Sequence, residues 1–201
     1  MESGENPDCL KISQIVPVSK HSSPSIPSHY RPISILPTVS KIFEKIIYVR
    51  VSNILNKNEL LTNFQNGFRN NASTELAVSA IHESFLENMD KGKTTRAVFL
   101  DLSKAFDTVD HKILLRKLMY YGIRGKQNSF FESYSTNRKQ YTKVNNYSLS
   151  FQTIKCGVPQ GSVMGPLLFL HYVNDLPCAS SFQTTLFADD TSFHFASQPA
   201  V

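Results

Sequence analysis

Thr184-Thr-Leu-Phe-Ala188 and Thr191-Ser-Phe-His-Phe195 are two strand-like runs separated only by Asp189-Asp190. So short a gap leaves a tight antiparallel hairpin as the connection, with two carboxylates at its tip. A chain obliged to contain that hairpin is not a strict βαβ alternation. With helical segments elsewhere, the pattern predicts an α+β fold.

Those segments are legible from spacing. Residues 40–55 carry Ile42/Phe43, Ile46/Ile47, Arg50/Val51 and Ile54/Leu55 four apart, an apolar stripe broken at Arg50. A second helix is predicted from a Ser73 or Thr74 cap through Leu76, Ala77, Ala80, Ile81 and Phe85 to a stop at Gly92. A third begins near Asp107 or Thr108, carries Ile113, Leu114, Leu118 and Tyr121, and ends at Gly122. Asp107 and Asp110 stand at its start and are expected to be caps.

Between the second and third helices, Arg96-Ala-Val-Phe-Leu-Asp-Leu-Ser103 is too short for a helix and rich in strand formers. It predicts a buried strand interrupted by one acid. Residues 10–18 read as a further short strand and residues 20–29 as loop. Residues 128–138 read as helix, and 141–154 as a hairpin around Asn145-Asn146. Cys156-Gly-Val-Pro-Gln-Gly161 reads as loop, and a last helix runs from near Pro166 to Asp175.

Composition excludes several classes. Of 201 residues, 41% are hydrophobic and 11% aromatic, enough for a core and too much for wholesale disorder. Cys9, Cys156 and Cys178 build neither a disulfide framework nor a CxxC metal knuckle, and fit a reducing compartment. No run reaches the roughly 18 apolar residues of a transmembrane helix, and the acidic, polar N-terminus is unlike a signal peptide. The net charge of +5 is compatible with a polyanionic partner.

The carboxylates point to chemistry. Asp101 lies in Val98-Phe-Leu-Asp-Leu102, and a carboxylate in a buried strand is costly unless compensated. Asp189 and Asp190 repel each other, which a divalent cation relieves. Hard oxygen donors without convergent Cys or His favour Mg²⁺ or Mn²⁺ over zinc. If the two strands are neighbours, three carboxylates meet at one edge and suit two metal ions about 3.5–4 Å apart, the arrangement for phosphoryl transfer. On the residues alone, an Asp after a strand serves equally as a turn former or helix cap, and an Asp-Asp pair as a plain turn.

Phe99-Leu-Asp-Leu-Ser-Lys-Ala-Phe-Asp-Thr-Val-Asp-His111, Gly157-Val-Pro-Gln-Gly-Ser-Val-Met-Gly-Pro-Leu-Leu-Phe169 and Phe187-Ala-Asp-Asp190 resemble motifs A, B and C of reverse transcriptases. Their wording is similar to that of the non-LTR (LINE-type, Jockey-like) retrotransposon enzymes. Tyr30-Arg-Pro-Ile-Ser-Ile-Leu-Pro-Thr-Val-Ser-Lys-Ile-Phe-Glu44 and Gln65-Asn-Gly-Phe-Arg69, followed by Ser73-Thr74, match finger motifs of the same family in the same order. The resemblance runs from about Ile15 to His194. It implies a polymerase right-hand fold with fingers and palm only, the thumb lying outside the chain. Residues 1–14 are then a poorly ordered tail and 15–201 the reverse transcriptase domain. Within it, about 15–95 are mostly fingers, 96–127 palm, 128–155 a connection, and 156–201 incomplete palm.

The resemblance also implies roles. Asp101 is the first metal ligand, Asp189 the second and Asp190 the third carboxylate, with the main-chain carbonyl of Leu102 near a metal; the cofactor is Mg²⁺ or Mn²⁺, two ions. Phe106 stands at a steric gate that excludes a 2′-hydroxyl by volume. Gln160 and Gly161 lie against the incoming nucleotide, Arg31 reaches the triphosphate with Lys20 assisting, and Arg69 and Lys104 contact nucleic acid. The partners are an RNA template, a DNA primer and dNTPs. Ala72, where relatives often carry His, and Met164, where Leu is usual, depart from the pattern without removing a carboxylate. A rival expectation is a non-catalytic remnant that at most binds nucleic acid, because the chain stops at Val201 shortly after motif C. Nuclear localisation follows only for an active LINE-type element.

Overall fold

The computed structural model describes residues 4–20, 22–144 and 147–198. In chain order its main elements are β1 (Ile12–Ser19), β2 (Tyr30–Ile35), α1 (Thr38–Lys57), α2 (Thr74–Asp90), β3 (Thr94–Asp101), α3 (His111–Tyr120), α4 (Lys126–Ser135), β4 (Lys139–Val144), β5 (Tyr147–Ser148), β6 (Gln152–Thr153), α5 (Met164–Val173), β7 (Gln183–Phe187) and β8 (Asp190–Ser197). The mixture is α+β, as the sequence pattern requires.

The strands form two sheets. The first has the order β2-β1-β4-β5, with β6 also on β4. In it β1 is antiparallel to β2 and parallel to β4. Residues 128–155, expected to connect fingers and palm, thus return a strand to the sheet begun at the N-terminus. The hairpin expected around Asn145-Asn146 is present as β4 and β5; its turn lies outside the described residues. Ahead of β1, the Asn6 N–H donates to Ser133 Oγ at 3.1 Å and Leu10 is buried, so packing begins well before residue 15. The second sheet is β3-β8-β7, antiparallel throughout.

The core lies among α1, α3, α4 and α5, around Leu55, Leu114, Leu118, Phe131, Met164 and Phe169. α5 is apolar on every side and sits at its centre, as an all-round hydrophobic helix must. α1 differs from the expected stripe. Its buried line is Ser40, Glu44, Ile47, Val51 and Leu55, while Ile42, Phe43, Ile46 and Ile54 face out. The helix is rotated so that a carboxylate joins Ile47, Val51 and Leu55 on the buried side, for a reason that α5 supplies. Glu44 Oε2 accepts from the N–H groups of Val163 and Met164 at 2.7 and 3.3 Å, and Oε1 accepts from the Tyr134 hydroxyl at 3.0 Å. These are orphan donors at a helix start, and a buried acid satisfies them. That capping also starts α5 at Met164 and leaves Pro166 inside the first turn, where its missing N–H costs nothing.

Two further expectations are corrected. The apolar run predicts a buried β3, yet β3 is an edge strand bonded only to β8 within its sheet, and Phe99 is 70% exposed. Its apolar run reflects strand propensity rather than burial. The third helix does not begin at Asp107. A short 3-10 turn (Ala105–Thr108) comes first, and α3 starts at His111 with Asp110 as cap, its Oδ1 accepting from Ile113 N–H at 2.9 Å. The carbonyls of Phe106 and Val109 accept from Val158 and Gly157 N–H at 2.8 and 2.7 Å, which takes them out of a helical ladder. The other predicted start holds: Ser73 Oγ accepts from Leu76 N–H at 3.2 Å and caps α2. Among the described residues, no helix is long and apolar enough to cross a membrane.

Candidate active site

Antiparallel pairing of β3 with β8 puts Asp101 directly opposite Asp190. β7 and β8 are joined through Ala188 and Asp189, so Asp189 is in the turn and Asp190 is the first residue of β8. The sequence therefore placed the hairpin tip correctly to within one residue, and the carboxylates share one sheet edge. Partial burial pushes the Asp190 carboxyl above its ordinary value, and the charges of Asp189 and Asp101 push it the same way. An oxygen-only donor set under mutual repulsion suits a hard divalent cation. Among the described residues no three His, Cys, Asp or Glu side chains converge as a finished cage.

Asp101 and Asp189 open into a cleft of about 1530 Å³ whose walls include Arg31, Lys104, Phe106 and Gln160. Phe106 comes from the 3-10 turn that follows β3. Its ring stacks on Phe169 at 4.5 Å and meets Phe68 edge-on at 6.2 Å, so it is braced between core and cleft. Gln160 lies in the loop before α5. Its Nε2 donates to Asp107 Oδ1 at 3.0 Å, and its carbonyl accepts from Ser34 N–H at 2.7 Å. Asp107, expected to be a cap, instead holds this amide. The second bond ties the loop to β2, the strand that carries Arg31.

Some expected residues are placed differently. Gly161 has φ +107°, and a Cβ there would stand 2.8 Å from Ser34 O; its lack of a side chain serves packing against β2. The Leu102 carbonyl accepts from Ala105 N–H at 3.2 Å. Lys104 is exposed in a left-handed conformation, and its carbonyl receives the N–H of Asp107 at 2.8 Å. Arg69 does not line the cleft. Its Nη1 donates to Thr62 O at 2.6 Å and Gln65 O at 3.4 Å, bracing the loop between α1 and α2. Sequence spacing gives Glu44 and Gln65 no role beyond membership in the finger motifs. Glu44 had a signal, a lone acid within an apolar helical stripe.

Two sheets and a helical core, with paired carboxylates at a β-hairpin and Arg31 lining the same cleft as Asp101 and Asp189, define the fingers and palm of a right-hand polymerase. Solved structures agree on the fold. The apo telomerase of Candida tropicalis superimposes with a TM-score of 0.66 at 11% identity, over 92% of this chain and 39% of that one. Telomerase of Candida albicans in complex with a fragment of telomeric RNA gives 0.60 at 12% identity, over 94% and 39%. This chain belongs to the reverse transcriptase (RNA-dependent DNA polymerase) family, whose pattern matches residues 18–200. Among curated relatives in Drosophila melanogaster, it is 33% identical to the probable RNA-directed DNA polymerase from transposon BS, over 95% of this chain and 22% of the relative. It is 31% identical to the RNA-directed DNA polymerase from mobile element jockey, over 88% and 19%. The chain thus spans about a fifth of the length of these non-LTR transposon proteins.

Proposed function

We propose that this domain is the polymerising unit of a non-LTR retrotransposon enzyme, extending a DNA primer with dNTPs on an RNA or DNA template. The observation that carries this reading is the register of Asp101 against Asp190, with Asp189 in the adjoining turn, and a cleft lined by Asp101 and Asp189 that also presents Arg31, Phe106 and Gln160. The names of the transposon relatives support the RNA-directed activity.

Asp101, Asp189 and Asp190 are the residues that would hold two Mg²⁺ or Mn²⁺ ions, with the Leu102 carbonyl nearby. When bound, such ions lower the pKa of an attacking hydroxyl and neutralise charge developing on phosphate oxygens. Arg31, which lines the same cleft, supplies a fork of donors to the triphosphate. Gln160, held by Asp107, orients the incoming nucleotide, and Phe106 limits the space beside its sugar. Lys104 is exposed to the template-primer backbone. Arg69 enters this reading only as a brace of its own loop.

Purified protein incubated with an RNA template, a DNA primer, dNTPs and Mg²⁺ or Mn²⁺ should lengthen the primer, and Asp189→Asn should abolish it. Extension that survives the substitution would overturn the assignment.

A further inference from the structure

The loop between α1 and α2 reaches the back of the carboxylate hairpin. Leu186 N–H donates to Phe64 O, and Asn66 N–H to Leu186 O, both at 2.8 Å, so Gln65 lies beside β7 like a single residue of parallel strand. The Gln65 side chain then continues to the turn. Its Oε1 accepts from Gly67 N–H at 2.7 Å and Ala188 N–H at 2.9 Å, and its Nε2 donates to Ala188 O at 3.3 Å. Gln65 is only 4% exposed.

Ala188 is the residue before Asp189 and has φ +56°, a left-handed conformation that strains any residue with a Cβ. Such strain persists only where the surroundings hold it. Gln65 bonds both main-chain polar groups of this one residue, 123 positions away. Gly67 makes the approach possible, since a Cβ there would fall 2.2 Å from Ala188 N. The loop is anchored in turn: Thr62 N–H donates to Asn174 Oδ1 at 2.8 Å, and Arg69 grips Thr62 O. A buried glutamine that served only its own loop would need the Gly67 bond alone. Here two of its three bonds go to the carboxylate turn.

We propose that Gln65 is a positioning residue for that turn. By clamping Ala188 on its N–H and its C=O, it fixes the peptide leading into Asp189, and so sets where Asp189 and Asp190 stand relative to Asp101. The clamp rests on geometry alone; its consequence for metal binding rests on the active-site reading above.

Amide hydrogen exchange by NMR on the purified chain, together with Mn²⁺ affinity by electron paramagnetic resonance, tests both parts. Ala188 N–H should be protected in the wild type, exchange at least tenfold faster in Gln65→Ala, and regain protection in Gln65→Glu, which keeps an acceptor oxygen in place. Leu186 N–H, bonded to a main-chain carbonyl, should keep its protection in all three. Mn²⁺ affinity should fall at least several-fold in Gln65→Ala, with Asp189→Asn as the reference for loss of a ligand. Unchanged Ala188 exchange overturns the proposal, as does joint loss of protection at Leu186 and Ala188, which signals a detached loop. Faster Ala188 exchange with unaltered Mn²⁺ affinity overturns the positioning role. If Asp189→Asn binds Mn²⁺ like the wild type, the active-site reading fails, and Ala188 exchange then decides the clamp by itself.

Discussion

Gln160 donates its side-chain amide to Asp107 at 3.0 Å, joining two segments 53 residues apart in the wall of the cleft. One lies just after the strand of Asp101 and the other just before α5, so the bond fixes the amide relative to the carboxylates. Asp107→Ala releases it. We expect kcat/KM for dNTP incorporation to fall about tenfold or more from misplacement, with Asp107→Asn, which keeps an acceptor oxygen, close to wild type. Steady-state incorporation on one template separates the two variants.

Phe106 is wedged between Phe169 and the cleft, and in the proposed function its size limits the space beside the sugar. Phe106→Leu keeps much of the contact with the core and shortens the wall. Discrimination between dNTPs and rNTPs, measured as the ratio of their kcat/KM values, should drop about tenfold or more, mainly through improved rNTP use. An unchanged ratio would remove Phe106 from the specificity role.

Glu44 joins α1, α4 and the start of α5 through one buried carboxylate, 2% exposed. Glu44→Ala strands the Val163 and Met164 N–H groups and the Tyr134 hydroxyl, at a cost of about 2–4 kcal/mol. Glu44→Gln retains an acceptor and should cost about half as much. Urea unfolding at neutral pH gives both values. Burial, with the Glu44 charge adding to it, raises the Tyr134 hydroxyl far above the ordinary tyrosine range, so it remains a donor at every pH of interest.

His171 lies at the centre of the core, and neither ring nitrogen has a partner among the described residues. Burial pushes it down to about 4, against an unfolded value near 6.5. The unfolded chain therefore binds the extra proton first, and stability is lost as pH falls from about 6.5 towards 4, on the order of 3 kcal/mol in all. His171→Leu removes this loss. Chemical denaturation at several pH values should show the variant's advantage growing on acidification through that window and constant above it.

The sequence alone determined whatever depends on neighbours along the chain. The gap between Thr184–Ala188 and Thr191–Phe195 compelled a hairpin with carboxylates at its tip, because no other connection fits so few residues. Ser73 marks a helix start and Asp110 is one of two cap candidates near another, since a cap acts across three residues. Motif order led to the family, which the comparisons then established. Tertiary structure decided what depends on partners far away. The strand with Asp101 has the apolar look of a buried strand, but it lies at a sheet edge, and only pairing with β8 shows which acid it faces. α1 turned Glu44 inward because the start of α5 lay waiting for an acceptor. Asp107 left the role of cap for Gln160, and Gln65 reached across 123 residues to Ala188. Local spacing carries no information about such bonds, because a hydrogen bond is set by where the fold brings donor and acceptor and not by their distance along the chain.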